Sequence, residues 1–210
     1  MSRETFEKLP ADRKELILST GIRMFSLSPY SEVSTDSITR TCGISKGILF
    51  HYFGSKRSFY LYCLEKSLQR LTRQEEEAGG TGFHEILFAE MSRKMALCMA
   101  FRDEMHMVNM ASRDGSAEIA REKAALLDEY TAEARRESAR TLRKALDALP
   151  LADEGKRETA AEGLQLYVQA LLNRYLLRYR QVPDRFFENG EAIKSEMKEY
   201  LDLMLYGICG

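Results

Sequence analysis

The segment from Ser34 to Lys56 constrains this chain more than any other stretch of its sequence. Its pattern predicts two short helices, from Ser34 to about Cys42 and from Ser45 to Phe53, which meet at a tight turn around Gly43. The apolar residues of both helices converge on one small core: Ile38, Cys42, Ile44, Leu49 and Phe53. Two helices that cross at a glycine turn, the second with a polar face, form the helix-turn-helix that lays a helix in the major groove of DNA.

The rest of the chain also predicts helices. Apolar residues recur at helical spacing, Pro and Gly fall between the periodic segments, and no stretch shows the period of two that is typical of strands. A first helix starts near Asp12 and a fourth starts at a Ser55 cap. Five more are predicted over residues 83–101, 104–112, 117–149, 153–180 and 190–208, which makes nine in all. The predicted fold class is all-α, with a three-helix head joined by the fourth helix to a larger helical body.

Charge is distributed unevenly along the chain, although the whole carries only −1. Residues 1–73 contain twelve Lys and Arg against seven Asp and Glu, whereas residues 74–210 contain nineteen against twenty-five. The N-terminal part is therefore net positive, and it coincides with the helix-turn-helix pattern. A local positive field is what binding to nucleic-acid phosphates requires.

Composition and motifs exclude several other classes of protein. With 44% hydrophobic and 30% charged residues the chain is typical of a globular protein. It has no apolar run that could span a bilayer and no signal-peptide core, so we expect a cytoplasmic protein without a membrane partner. The four cysteines are far apart, which argues against disulfides and zinc. Because no phosphate loop, paired metal ligands or nucleophile elbow is present, we predict no enzyme activity, cofactor, catalytic residue or metal site.

The run from Gly43 to Phe53, followed by Ser55-Lys56, resembles the recognition helix of the TetR family of transcription regulators. The resemblance covers roughly residues 10–65. The sequence departs from the family pattern at Pro29, Thr39 and Phe50, where a glycine, an alanine and a tyrosine are usual. The resemblance implies a DNA-binding domain over residues 1–54 and an effector-binding and dimerisation domain over residues 55–210.

Groove geometry and the resemblance assign DNA contacts to the same positions. Lys46 suits a guanine edge, Gly47 permits close approach of the backbone, and Ile48 suits a thymine methyl group. The other predicted contacts, mainly to phosphates, are Thr35, Ser45, Phe50, His51, Tyr52 and Lys56. The Phe50 ring suits packing on the first helix equally well, which leaves its role open.

Broad apolar stripes on the last two long helices predict a homodimer, because two recognition helices related by a twofold axis read a palindromic operator. The predicted interface residues are Leu164, Val168, Leu172, Tyr175, Tyr179, Met197, Leu201, Met204, Leu205 and Ile208. The alternative is that both stripes are ordinary core within one chain.

A cluster of methionines in the middle of the chain has two interpretations. Methionine fills irregular cores, and it also lines adaptable apolar pockets. The resemblance places effector sites in the body, which favours a pocket for a small apolar or amphipathic molecule. The predicted pocket residues are Met91, Met95, Met99, Met110, Tyr130, Tyr167, Asn173 and Arg174.

These features together predict a homodimeric repressor that a small molecule releases from a palindromic operator. Two alternatives stay open at this point. One is an activator that depends on its ligand, and the other is a helical dimeric interaction or ligand-binding protein that no longer binds DNA sequence-specifically.

Overall fold

The structure, a computed structural model, describes residues 3–72, 79–150 and 154–207. Throughout these ranges the regular elements are helical and no strand occurs, so the predicted all-α class is confirmed. The α-helices are α1 (Arg3–Glu7), α2 (Ala11–Leu27), α3 (Thr35–Cys42), α4 (Lys46–Phe53), α5 (Lys56–Leu71), α6 (Phe83–Ala100), α7 (Arg102–Arg113), α8 (Ala120–Asp147), α9 (Arg157–Arg178), α10 (Pro183–Glu188) and α11 (Gly190–Tyr206). Short 3-10 turns at Ala117–Ile119 and Glu154–Lys156 precede α8 and α9.

The described residues form eleven α-helices, two more than the nine predicted. Helix α1 has only five residues, which is too few for apolar periodicity to reveal it. Helix α10 begins at Pro183, a residue that the prediction used only as the end of the preceding helix. Proline fits the first position of a helix, because the amide it lacks would have no partner there.

The turn between α3 and α4 has the geometry that its glycine predicts. Gly43 has a φ of 64°, in the left-handed region that favours glycine. The amides of Gly43 and Ile44 donate to the carbonyls of Arg40 and Thr39 at 3.3 and 3.0 Å, which ends α3. The Ser45 hydroxyl then accepts a hydrogen bond of 3.2 Å from the amide three residues on, which confirms it as the cap of α4.

Helix α4 is held by an aromatic cluster to which the unpredicted α1 contributes. Phe53, near the end of α4, packs against the rings of Phe6, Phe59 and Tyr62 at centroid distances of 4.8, 4.7 and 5.2 Å. Phe6 is buried, and the Tyr62 hydroxyl donates to the Glu7 carboxylate at 2.7 Å. Helix α1 therefore fixes the C-terminal end of α4.

The described residues fall into two compact units, one drawn from residues 1–73 and 100–133 and the other from residues 74–99 and 134–210. In the first unit α7 packs on α2 and α5. Arg70 of α5 reinforces this packing, since its guanidinium contacts the carboxylates of Glu15 on α2 and Glu104 on α7, each at 2.5 Å. These are units of packing, and the division at residue 54 into two functional domains stays a prediction.

The second unit has its own apolar core, formed by α6, the second half of α8, α9 and α11. Its buried residues include Phe83, Leu142, Leu146, Leu164, Val168, Leu171, Tyr175, Ile193, Met197 and Leu201. The start of α11 closes on α6, because a Cβ added at Gly190 would meet Met95 Cε at 2.7 Å. Among the helices described, none is both long and apolar enough to cross a membrane.

Two glycines inside helices should respond to alanine with opposite signs. A Cβ at Gly21 in α2 would lie 2.5 Å from Phe59 Cζ and 2.8 Å from Cys63 Sγ, whereas a Cβ at Gly163 in α9 meets no atom within 4 Å. We expect Gly21→Ala to lower the free energy of unfolding by about 1–3 kcal/mol through overpacking. Gly163→Ala should raise it by up to about 1 kcal/mol through helix propensity.

Urea unfolding followed by circular dichroism measures both changes, with each glycine variant serving as the control for the other. A Gly21→Ala protein as stable as the wild type would contradict the close packing of α2 on α5.

Candidate nucleic-acid interface

The first turn of α4 points away from the core. Ser45, Lys46, Gly47 and Ile48 are exposed, whereas Leu49, the next residue of the helix, is fully buried. Ile48 leaves 41% of its surface in solvent although it is apolar. His51, one turn after Gly47, is exposed as well. The turn that was predicted to enter the groove is therefore accessible along its length.

Gly47 has no packing role inside the chain. A Cβ built on it would meet only the Ser45 hydroxyl oxygen, at 3.7 Å, which is an ordinary contact. Alanine would therefore fit and would stabilise the helix. The glycine instead leaves the backbone of α4 open to close approach from outside.

Lys46 forms an ion pair across the helix-turn-helix. Its ammonium Nζ lies 3.1 Å from Oδ2 of Asp36, in the first turn of α3. About half of each side chain is exposed. The pair therefore lies on the same accessible face as the first turn of α4.

Three of the predicted DNA contacts are less accessible than the first turn of α4. Phe50 and Tyr52 are half-buried, and the Tyr52 ring packs edge-on against Phe6 at 5.7 Å. Thr35 is buried, with 8% exposure, because α3 turns its first residue towards the core. The structure does not present the Thr35 side chain as the surface contact that was predicted.

Lys56 lies against the loop between α2 and α3. Its ammonium is 4.5 Å from the centre of the Tyr30 ring and 3.5 Å from the Ser31 carbonyl oxygen. Burial lowers the pKa of Lys56, and the nearby carboxylates of Glu118 and Asp114 oppose that shift. To reach a phosphate, the ammonium would have to turn away from this ring.

The same loop is tied to the segment after α7 by a set of hydrogen bonds that we call the Asp114 clamp, formed by Tyr30, Asp114, Ser116 and Glu118. The Tyr30 amide donates to Asp114 Oδ2 at 2.6 Å, and the Ser116 amide donates to Oδ1 at 2.8 Å. The Tyr30 hydroxyl donates to Glu118 at 2.7 Å. Burial alone would raise the pKa of Asp114, but the hydrogen bonds from Ser116 and Tyr30 outweigh it and hold the pKa below its ordinary value.

Sequence reasoning missed the Asp114 clamp. The helix predicted over residues 104–112 ends just before Asp114-Gly115, and an aspartate that precedes a turn often accepts from the amide two residues on. The contact with Tyr30 joins residues 84 positions apart, and no local pattern reveals such a pairing.

An open groove of about 930 Å³ lies beside the clamp. Tyr30, Lys56 and the clamp acids line it together with Met110 and Arg113. The groove therefore brings together one residue of the predicted DNA face and one of the predicted effector pocket, both within the first unit.

The sequence of the head is similar to that of a known protein family. Residues 17–63 match the family profile of the bacterial regulatory proteins of the TetR family, a range that contains both helices of the helix-turn-helix. Over residues 17–63, the chain is thus similar to the DNA-binding region of the TetR family. It therefore has the DNA-binding fold of TetR-family transcriptional regulators.

One curated relative of this chain is YerO of Bacillus subtilis (strain 168), described as an uncharacterized HTH-type transcriptional regulator. It is 31% identical over 80 residues, which are 36% of this chain and 28% of YerO. The match thus spans less than a third of the length of the relative.

Solved structures of the TetR family are similar over nearly the whole chain. A TetR-family regulator from Chloroflexus aurantiacus J-10-fl is 22% identical, with a TM-score of 0.52 and coverage of 97% of this chain and 96% of its own. One from Streptomyces coelicolor is 19% identical, with a TM-score of 0.59 and coverage of 94% and 82%. At these identities the likeness concerns the fold alone.

The predicted effector residues come from both units. Met110 and Tyr130 belong to the first unit and the other six to the second. Met91 and Met95 pack inside the second unit, but Met99 is 60% exposed. The polar residues predicted for the pocket lie on the surface: Asn173 accepts from Gln169, and Arg174 contacts Tyr200 and Glu196. Tyr167 donates to the Tyr200 carbonyl at 3.0 Å.

Half of the predicted dimer interface is core of the chain itself. The buried residues are Leu164, Val168, Tyr175, Met197 and Leu201. They are unavailable to a second copy, because α6, α8, α9 and α11 pack them together. Leu172, Tyr179 and Leu205 are half-buried, Met204 is exposed, and Ile208 lies outside the described residues.

Other apolar residues of α9 and α11 are the ones left in solvent, and sequence reasoning did not single them out for the interface. Leu166, Leu176 and Leu177 of α9 are 74%, 58% and 69% exposed. On α11, Leu203 and Tyr206 are 48% and 66% exposed. We call these five residues and Met204 the exposed apolar face.

The Asp114 clamp should give the protein a pH-dependent contribution to stability. Because the pKa of Asp114 is lowered in the folded state, its carboxylate stabilises the fold at pH values above its ordinary value of 3.8 and loses that effect as pH falls through the folded pKa. We expect Asp114→Asn to lower the free energy of unfolding by about 1–3 kcal/mol at pH 7. The difference from the wild type should shrink as the pH approaches 3.

Urea unfolding at several pH values checks this expectation, with Asp103→Asn as the control, since Asp103 is an exposed acid on α7. Equal stability of the two variants at pH 7 would show that the clamp contributes little.

Proposed function

We propose that this protein is a homodimeric, sequence-specific repressor that binds a palindromic operator and leaves it when a small molecule binds. The accessible first turn of α4 carries the proposal. Lys46, Gly47 and Ile48 are exposed there, and Gly47 has no packing role inside the chain. Such a turn can enter the major groove, where side chains reach base edges.

Most of the predicted contacts in the head have a proposed role on DNA. Lys46 donates to guanine O6 and N7, Ile48 contacts a thymine methyl group, and Gly47 lets the helix come close to the bases. His51 and Tyr52 contact the phosphate backbone. Ser45 and Lys56 are also assigned to phosphates, whereas the role of the half-buried Phe50 stays open and the buried Thr35 is not offered as a contact.

A second copy is proposed to bind at the exposed apolar face. Leu166 and Leu177 lie about three helical turns apart on one side of α9, so they form a stripe rather than isolated sites. Single exposed apolar residues are normal, but stripes on two neighbouring helices are typical of protein interfaces. A dimer would place two copies of α4 on one duplex, as a palindrome requires.

A small apolar or amphipathic molecule is proposed to release the protein from DNA. Met91 and Met95 give the second unit flexible apolar side chains, and the groove beside the Asp114 clamp gives the first unit an open recess. Binding in the domain proposed for residues 55–210 would release DNA by changing the spacing of the two heads. Action on DNA also implies a cytoplasmic location.

Selection of bound duplexes from a random DNA pool, with the purified full chain, tests the proposal directly. We expect enrichment of a palindrome whose half-sites lie about one helical turn apart. A pool that stays random after repeated rounds would contradict sequence-specific binding.

Lys46 and Lys56 should differ in what they contribute to binding. Lys46→Ala should weaken binding to the selected duplex by about 1–3 kcal/mol and relax the preference at one base pair in each half-site. Lys56→Ala should weaken binding to all duplexes alike and reduce the slope of log affinity against log salt by about 1. Fluorescence anisotropy over a range of salt concentrations measures both effects, and identical behaviour of the two variants would overturn these roles.

Leu177→Asp should convert the dimer to a monomer, since it places a charge on the exposed apolar face. Leu27→Asp is the matched control, because Leu27 is also 69% exposed but lies at the end of α2 in the head. Analytical ultracentrifugation should show a dimer for the wild type and the control, and a monomer for Leu177→Asp. A dimeric Leu177→Asp protein would place the interface elsewhere.

A further inference from the structure

The ion pair between Asp36 and Lys46 needs an explanation beyond stability. It joins the first turns of α3 and α4 on the accessible side of the head, with 3.1 Å between Nζ and Oδ2. Ion pairs this exposed contribute little to folding. A negative charge on a face that approaches phosphates also opposes binding of DNA.

Asp36 is unusual within the head. It is the only acidic residue in the sequence from Thr35 to Phe53, so the acid stands alone on the helix-turn-helix. Arg40, one turn further along α3, is the usual kind of partner for an aspartate. In the described part of the chain, however, Asp36 has its ion pair with Lys46 of the other helix.

We propose that Asp36 is a positioning residue that makes Lys46 read a base rather than a phosphate; this inference rests on the proposed function. Lysine has a flexible stem and an ammonium with three donors, so a free Lys46 would contact any nearby phosphate oxygen. The Asp36 carboxylate takes one of these donors and restrains the stem. Two donors remain for O6 and N7 of a guanine.

The same carboxylate acts on the duplex itself. Its charge repels phosphates near the start of α4, which weakens binding that does not include the correct base pair. With the correct pair, the guanine contact offsets this repulsion. Asp36 therefore lowers the affinity for DNA in general and raises the discrimination among sequences.

The test compares the dissociation constants of four proteins for the selected duplex, for a duplex with the pair read by Lys46 exchanged, and for a random duplex. The proteins are the wild type, Asp36→Asn, Asp36→Glu and Glu32→Gln. Glu32 is the matched control, since it is an exposed acid in the loop before α3 and its side chain has no ion pair with α4 in the described residues. Melting temperatures establish that all four are folded.

We expect Asp36→Asn to bind random DNA more tightly than the wild type does. The ratio of its affinity for the selected duplex to its affinity for the exchanged duplex should fall about tenfold. Asp36→Glu, which keeps the charge, should recover most of that ratio, and Glu32→Gln should leave it unchanged. In a Lys46→Ala background, Asp36→Asn should change the ratio no further, because the residue acts through Lys46.

Two results would overturn the inference. One is an affinity ratio of Asp36→Asn equal to that of Glu32→Gln, which would show that Asp36 is an ordinary surface charge. The other is an equal fall of the ratio when Asp36→Asn is made in the wild type and in the Lys46→Ala background. Both leave the proposed function intact as long as the wild type selects a sequence, whereas a wild type without any preference overturns the proposed function itself.

Discussion

The position of the recognition helix depends on aromatic packing at its far end. Helix α4 has eight residues, and an isolated helix of that length is unstable in water. It is held because Leu49 and Phe53 are buried and because Phe53 lies among Phe6, Phe59 and Tyr62. Because Leu49 and Phe53 are buried, the side chains of the first turn of α4 are exposed. The accessibility of the first turn of α4 thus follows from buried residues that lie outside that turn.

The entrance to α3 is fixed by a second constraint, which comes from a distant part of the chain. The Tyr30 ring packs against Tyr60 at 5.2 Å, its amide is bound by Asp114, and its hydroxyl is bound by Glu118. Arg57 of α5 is paired with Glu122 of α8 alongside. The loop before the helix-turn-helix therefore cannot shift unless the segment after α7 shifts with it. Within the first unit, this is a direct mechanical link between α7 and the head.

Local chemistry made the head predictable from sequence. The Gly43 turn and the Ser45 cap are set by residues within four positions of each other, and the structure has both. What sequence could not reveal arises from pairings over long distances or from very short elements. Helix α1 has no readable period, and Asp114 finds Tyr30 across 84 positions. Thr35 was assigned to a phosphate because it stands near the start of a helix, whereas packing turns its side chain inward.

The apolar helices of the body show a different limit of sequence reasoning. Periodicity reveals how wide an apolar stripe is, but it does not reveal which edge faces the core of the same chain. On α9, Leu164 is buried and Leu166, two residues on, is 74% exposed, since the two side chains lie on different sides of the helix. The apolar residues of α9 therefore have two destinations. Those on the inner side are buried in the second unit, and the opposite side leaves leucines in water, a cost that burial against another apolar surface would remove. These exposed leucines support a partner, although half of the residues first assigned to that partner belong to the core.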